Sequence, residues 1–75
     1  MNNIDWLGQQ ALIVLENSVS KEYAEQNKKL FQGKDRFGCL LALNSFDRET
    51  LRDLAEQLNI QYKKLAITVD TVRSL

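Results

Sequence analysis

Leu51, Leu54, Ala55 and Leu58 fall at i, i+3, i+4 and i+7, the spacing that lines one face of an α-helix with apolar side chains. Asp47 precedes the stripe as an N-cap, and Glu49 puts a negative charge in the first turn, where it complements the helix dipole. The stripe stops at Asn59, so the spacing predicts a helix over 48–58. The rest of the chain offers little that could break such a period: it has no proline and three glycines in 75 residues. Punctuation that sparse favours long helices over a turn-rich β protein.

The same period returns elsewhere. Ile4, Leu7, Ala11, Val14 or Leu15, Val19 and Tyr23 keep helical spacing behind Asn3 as an N-cap. Helix is therefore expected over 4–31, either as one long element or broken near residue 18, where Asn17, Ser18 and Ser20 cluster. Gly33 stands where a left-handed C-terminal cap belongs. Asp35 then caps a short apolar helix over 36–44 that contains Phe37, Leu40, Leu41 and Leu43. The final segment supports two readings. Leu65, Val69 and Val72 share a helical face over 61–74, whereas Leu65, Ile67, Val69 and Thr71 alternate as a half-buried strand would, and β-branched residues are frequent there. The expected fold is thus all-α, a single domain built as a small bundle of three to four helices, with a last segment that reads as helix or strand.

A chain of this length buries only about 60–65% of its unfolded surface, so its core works close to the margin set by backbone entropy. Disulfides and metals are the usual reinforcement for small domains, and the sequence provides for neither. Cys39 is alone and there is no histidine, which removes the ligand sets of zinc sites as well as an intrachain disulfide. Ten basic and ten acidic residues cancel, so the chain as a whole exerts no general pull on nucleic acid or anionic membranes. The basic excess is local, at Lys28, Lys29, Lys34 and Arg36 and again at Lys63, Lys64 and Arg73. The uncharged stretches from Trp6 to Leu15 and from Phe37 to Phe46 are too short for the roughly 20 residues of a membrane span. The start of the chain lacks the basic residues of a secretory signal, and a cytoplasmic protein with a reduced Cys39 is expected.

Catalysis has no constellation to rest on. Asp47, Glu49, Asp53 and Glu56 lie on the polar side of one amphipathic helix rather than around a cleft. Cys39 sits beside Leu40 and Leu41, as a small buried hydrophobe does. The glycines match neither a phosphate loop nor a dinucleotide fingerprint. No catalytic residue, cofactor or metal is expected.

Residues 51–70 resemble a helix-turn-helix. In that alignment Ala55 takes the small-residue position, Asn59 the turn and Leu65 the apolar anchor of the second helix, with Leu54, Leu58 and Ile60 between them. The resemblance implies a DNA-binding regulator that presents Gln61, Tyr62, Lys63, Lys64 and Arg73 to the duplex. The chain departs from the pattern at Thr68, where an aliphatic belongs, and at Asp70, which would face phosphate.

Apolar excess is the more general signal. Ala11 to Leu15 are five consecutive apolar residues and Leu40 to Leu43 are four more, so each element is greasy on more than one face. Leaving Leu12 and Ile13 in water forgoes roughly 1.5–3 kcal/mol apiece, a large part of a small domain's net stability. The first expectation for function is therefore a small regulatory or adaptor protein acting by contact, as a homodimer or docked on a larger protein, with Trp6, Leu12, Ile13, Leu15, Phe31 and Phe37 as anchors. The helix-turn-helix regulator is the alternative. In type, compact neutral helical chains like this one resemble accessory proteins of phages and other mobile elements.

Overall fold

The computed structural model describes residues 3–75 and is all-α. Its helices are α1 (Trp6–Ser18), α2 (Lys21–Phe31), α3 (Arg36–Ala42, continued by a 3-10 turn at Leu43–Ser45), α4 (Arg48–Gln61) and α5 (Val69–Arg73). Each begins at a short polar side chain that accepts a hydrogen bond from an otherwise unpaired backbone N–H. Asp5 receives Leu7 N–H, Ser20 receives Tyr23, Asp35 receives Gly38, Asp47 receives Thr50 and Thr68 receives Thr71. Five such caps set every helix start in a chain that has no proline to do so.

Asp5, not Asn3, caps the first helix. Asn3 and Ile4 belong instead to an extended lead-in: Gly33 N–H donates to the Asn3 carbonyl at 2.9 Å and Ile4 forms an isolated antiparallel bridge with Gln32. The run over 4–31 breaks after Ser18. Val19 leaves helical geometry and Ser20 is fully extended (φ −166°, ψ 161°) while its hydroxyl caps α2. Serine wins here because its side chain offers the backbone a partner that continuation of the helix would withdraw. The break folds α2 back along α1. Gly33 (φ +72°) closes α2 in the left-handed conformation that glycine adopts without steric cost.

The core is a single cluster reaching from Leu7, Val14 and Leu15 through Phe31, Leu43 and Phe46 to Leu54, Leu58, Ile67 and Val72. Phe31 and Phe46 stack within it, centroids 6.5 Å apart. α1 is its axis, packed against α2, α3 and α4. Gly8 permits a close approach of α2 and α3 to α1, because a Cβ placed there would come within 2.8 Å of Ile4 Cγ2, 2.9 Å of Phe31 Cβ and 3.2 Å of Cys39 Sγ. α4 runs antiparallel to α1: Trp6 meets Tyr62 at one end, and Val14 and Leu15 face Thr50 and Leu54 across a small cavity at the other.

The end of the chain departs from both sequence readings. α4 continues through Asn59 to Gln61, seven residues connect it to α5, and α5 covers only Val69–Arg73. No strand forms among the described residues, yet the alternation is real. Leu65 and Ile67 are buried while Ala66 and Thr68 are exposed, so the segment feeds every second side chain into the core as a strand would. Asn59 replaces the missing neighbouring strand. Its amide oxygen accepts from Ile67 N–H at 2.7 Å and its amide nitrogen donates to the Ile67 carbonyl, so one side chain satisfies both polar groups of a buried residue. Asn44 does the same more lightly, donating to the Val72 carbonyl at 3.1 Å. Ala66, between these ties, adopts a left-handed backbone (φ +47°).

Candidate functional site

The six expected anchors divide. Leu15 and Phe31 are buried in the chain's own core, so they hold the fold and offer no side chain to a partner. Leu12 is half-buried against that core. Trp6, Ile13 and Phe37 stand outside it at 48, 43 and 55% exposure. The block Ala11–Leu15 is swallowed more fully than its composition implies because α1 is flanked by three helices rather than one. Of the block Leu40–Leu43, Ala42 and Leu43 are buried, Leu40 is half-buried and Leu41 remains 40% exposed.

Two groups of exposed apolar residues result, one on α1 and one on α3. Trp6 and Ile13 lie two turns apart on the outer edge of α1. The Trp6 ring meets Tyr62 edge to face, centroids 5.6 Å apart and planes at 82°, an arrangement that adds about 0.5–1.5 kcal/mol to ordinary burial. The strip between Asp5 and Glu16 bears no charge. On α3, Phe37 and Leu41 lie one turn apart, opposite the side that buries Cys39, Ala42 and Leu43. Lys34 runs along this helix, its Cβ 3.0 Å from where a Gly38 Cβ would be. The sequence gives notice of the second patch: on a helix over 36–44, Phe37 and Leu41 cannot face inward together with Cys39 and Leu43. The same reasoning finds Ile60, which points away from the Leu51–Leu58 stripe and is 70% exposed. Leu41 and Ile60 are thus exposed apolar residues beyond the expected anchors.

The residues expected to meet DNA are distributed along different elements. Gln61 ends α4, Tyr62 is its half-buried C-cap against Trp6, Lys63 and Lys64 are exposed on the connection, and Arg73 ends α5. The helix-turn-helix register fails at its centre, since Asn59 lies within α4 and clamps Ile67 instead of making the turn. A second helix of five residues is about 7.5 Å long at 1.5 Å per residue, little more than one turn.

The concavities are small. One of about 60 Å³ lies between the end of α1 and the start of α4, and a shallow groove of about 190 Å³ runs over the Asn59 clamp beside Arg52, Glu56 and Val69. Both are below the roughly 300–1,000 Å³ of small-molecule sites. Among the described residues, no three His, Cys, Asp or Glu side chains converge as a metal site would require. Cys39 is buried; burial, and next the negative charge of Asp5, push its thiol pKa up, away from nucleophilic character. The Asp47 carboxyl is held below the usual range by the Thr50 side chain and by Thr50 N–H, which donates to it at 3.0 Å. No described helix is long and apolar enough to cross a membrane. Comparison with family models, with curated proteins and with solved structures found no match.

Proposed function

We propose that this chain is a small non-enzymatic regulatory or adaptor protein that works by protein–protein contact, pairing with a copy of itself or docking on a larger protein. The observation that supports it is an apolar exterior on a molecule whose core is already closed. The single copy exposes 4943 Å², close to the roughly 4,700 Å² expected of a folded monomer of its mass. Its radius of gyration, 11.1 Å, matches the roughly 11 Å of a compact domain this long. Contact is therefore an added use of the surface and not a condition of folding. Aromatic and aliphatic side chains set among polar ones, as Trp6, Ile13, Phe37 and Leu41 are, make up the centres of protein interfaces. A reducing, cytoplasmic setting suits a buried, unpaired Cys39. The DNA-binding alternative has less behind it, since its cations share no continuous helix.

Affinity recovery from native extract, with the chain as bait, tests the proposal. The expected result is a stoichiometric partner, or a second copy, that is lost when Trp6, Ile13 and Phe37 are changed to alanine with the helical content unaltered. Recovery indifferent to those changes, or no recovery, counts against it.

A further inference from the structure

The two patches differ in the charge around them, and charge decides what each can meet. Residues 28–41 contain Lys28, Lys29, Lys34 and Arg36 against one acid, Asp35. That acid is engaged: its carboxylate accepts from Gly38 N–H at 2.7 Å as the cap of α3. The four cations are exposed: Lys28 and Lys29 lie in the last turn of α2, Lys34 on the connection, and Arg36 is the first residue of α3. Residues 28–41 thus carry three net positive charges in a neutral chain, against which Asp5, acting on Cys39 from the start of α1, sets one negative charge; Phe37 and Leu41 are exposed on the same segment, and Leu30 and Leu40 are half-buried.

We infer that the α2–α3 corner is a docking surface for an acidic amphipathic segment of another protein, which seats apolar side chains on Phe37 and Leu41 and sets carboxylates against Lys34 and Arg36. The inference rests on the contact function proposed above and names the chemistry of the partner. Charge complementarity selects that occupant. A second copy docked through the same corner would oppose four cations with four cations, which interfaces avoid. A nucleic acid would match the cations but leave Phe37 and Leu41 facing phosphates. An acidic helix whose apolar residues recur at i, i+3, i+4 and i+7 matches both components.

The test uses the full chain, amide-resolved NMR and two synthetic peptides. One carries leucine and phenylalanine along one helical face with glutamate elsewhere; the other has lysine for every glutamate. The glutamate peptide is expected to shift the amides of Lys34, Arg36, Phe37, Gly38 and Leu41, to bind at least roughly tenfold more tightly than its lysine counterpart, and to weaken as salt screens the cations. Phe37→Ser with Leu41→Ser should abolish binding while the spectrum keeps its dispersion. Lys34→Glu with Arg36→Glu should transfer the preference to the lysine peptide. The inference is overturned by equal binding of the two peptides, or by no shifts at about 1 mM peptide, a concentration that reveals even feeble interfaces. It is also overturned if a DNA duplex or anionic vesicles shift these amides and the peptide does not. Shifts confined to Trp6 and Ile13 would overturn the corner as the site and leave the contact function standing.

Discussion

Removing the Asn59 side chain tests how the last fifteen residues are held. Asn59→Ala deletes two hydrogen bonds to Ile67, whose side chain is buried and whose N–H and carbonyl have no strand to turn to. Losing bonds to buried backbone groups costs about 1–3 kcal/mol each. The lower part of that range applies here, because a shallow groove lined by Asn59 and Ile67 opens beside the clamp, giving a loss of about 2–4 kcal/mol for the two bonds. Alanine returns up to about 0.7 kcal/mol through its better helix propensity at this interior position of α4. The hydrogen bonds win, and a net destabilisation of about 1.5–3.5 kcal/mol follows, which lowers Tm by roughly 10–20 °C in a domain this small. Thermal and urea unfolding followed by far-UV circular dichroism measure it, and amide exchange at Ile67 should accelerate in parallel. Asn59→Asp keeps the acceptor for Ile67 N–H but sets a carboxylate against the Ile67 carbonyl, so it should lose stability at neutral pH and regain part of it in acid, where the protonated group can donate. If Asn59→Ala unfolds within about 0.5 kcal/mol of the parent, the ordinary range of a surface substitution, the clamp does not hold the segment and this account of the C-terminal third fails.

Further expectations follow from single positions. Gly8→Ala forces a methyl group into the contact with Ile4 and Phe31; overpacking of about 1–3 kcal/mol outweighs a helix-propensity gain of about 1 kcal/mol, and chemical denaturation should show a net loss. Ala66→Gly relieves a left-handed alanine and should raise stability by about 0.5–1 kcal/mol, a gain in urea midpoint being the readout. The raised thiol pKa of Cys39 means that the unfolded chain ionises first, so this contribution is full below a pH of about 8.5 and falls as pH rises beyond it; Cys39 should also resist iodoacetamide until the chain is unfolded. The lowered carboxyl pKa of Asp47 has the opposite sign: its contribution is present above the unfolded carboxylate range, is lost as pH falls through the folded value, and disappears in Asp47→Ala, as acid titration of the two proteins would reveal.

Legibility varied along the chain with the range of the forces involved. The helical period, Gly33 as a left-handed cap, and Asp35 and Asp47 as N-caps depend on residues within one turn of each other, and all appear in the structure as the pattern predicts. Ser20 was visible as a breaker, but its role as the cap that starts a new helix depends on α2 packing back along α1. Phe31 and Leu15 have the apolar character of anchors but are buried, because helices distant in sequence pack over them. Asn59 illustrates the limit best. Nothing local distinguishes an asparagine that ends a helix from one that stays in it to grip a segment eight residues ahead. The alternation of Leu65 and Ile67 was equally ambiguous, since it recorded which side chains enter the core without recording what satisfies the backbone between them. The patch on α3 was accessible to geometry, because seven residues of helix cannot turn Phe37, Cys39, Leu41 and Leu43 to one side.

The central claim is that one copy closes its own core and keeps an apolar exterior for contact. Sedimentation of the labelled chain in native extract tests this most directly, comparing it with a variant carrying Trp6→Ala, Ile13→Ala and Phe37→Ala. The account predicts a complex heavier than the 8.7 kDa chain for the parent and a folded 8.7 kDa species for the variant. A parent that sediments as the lone chain at every concentration, indistinguishable from the variant, would contradict it.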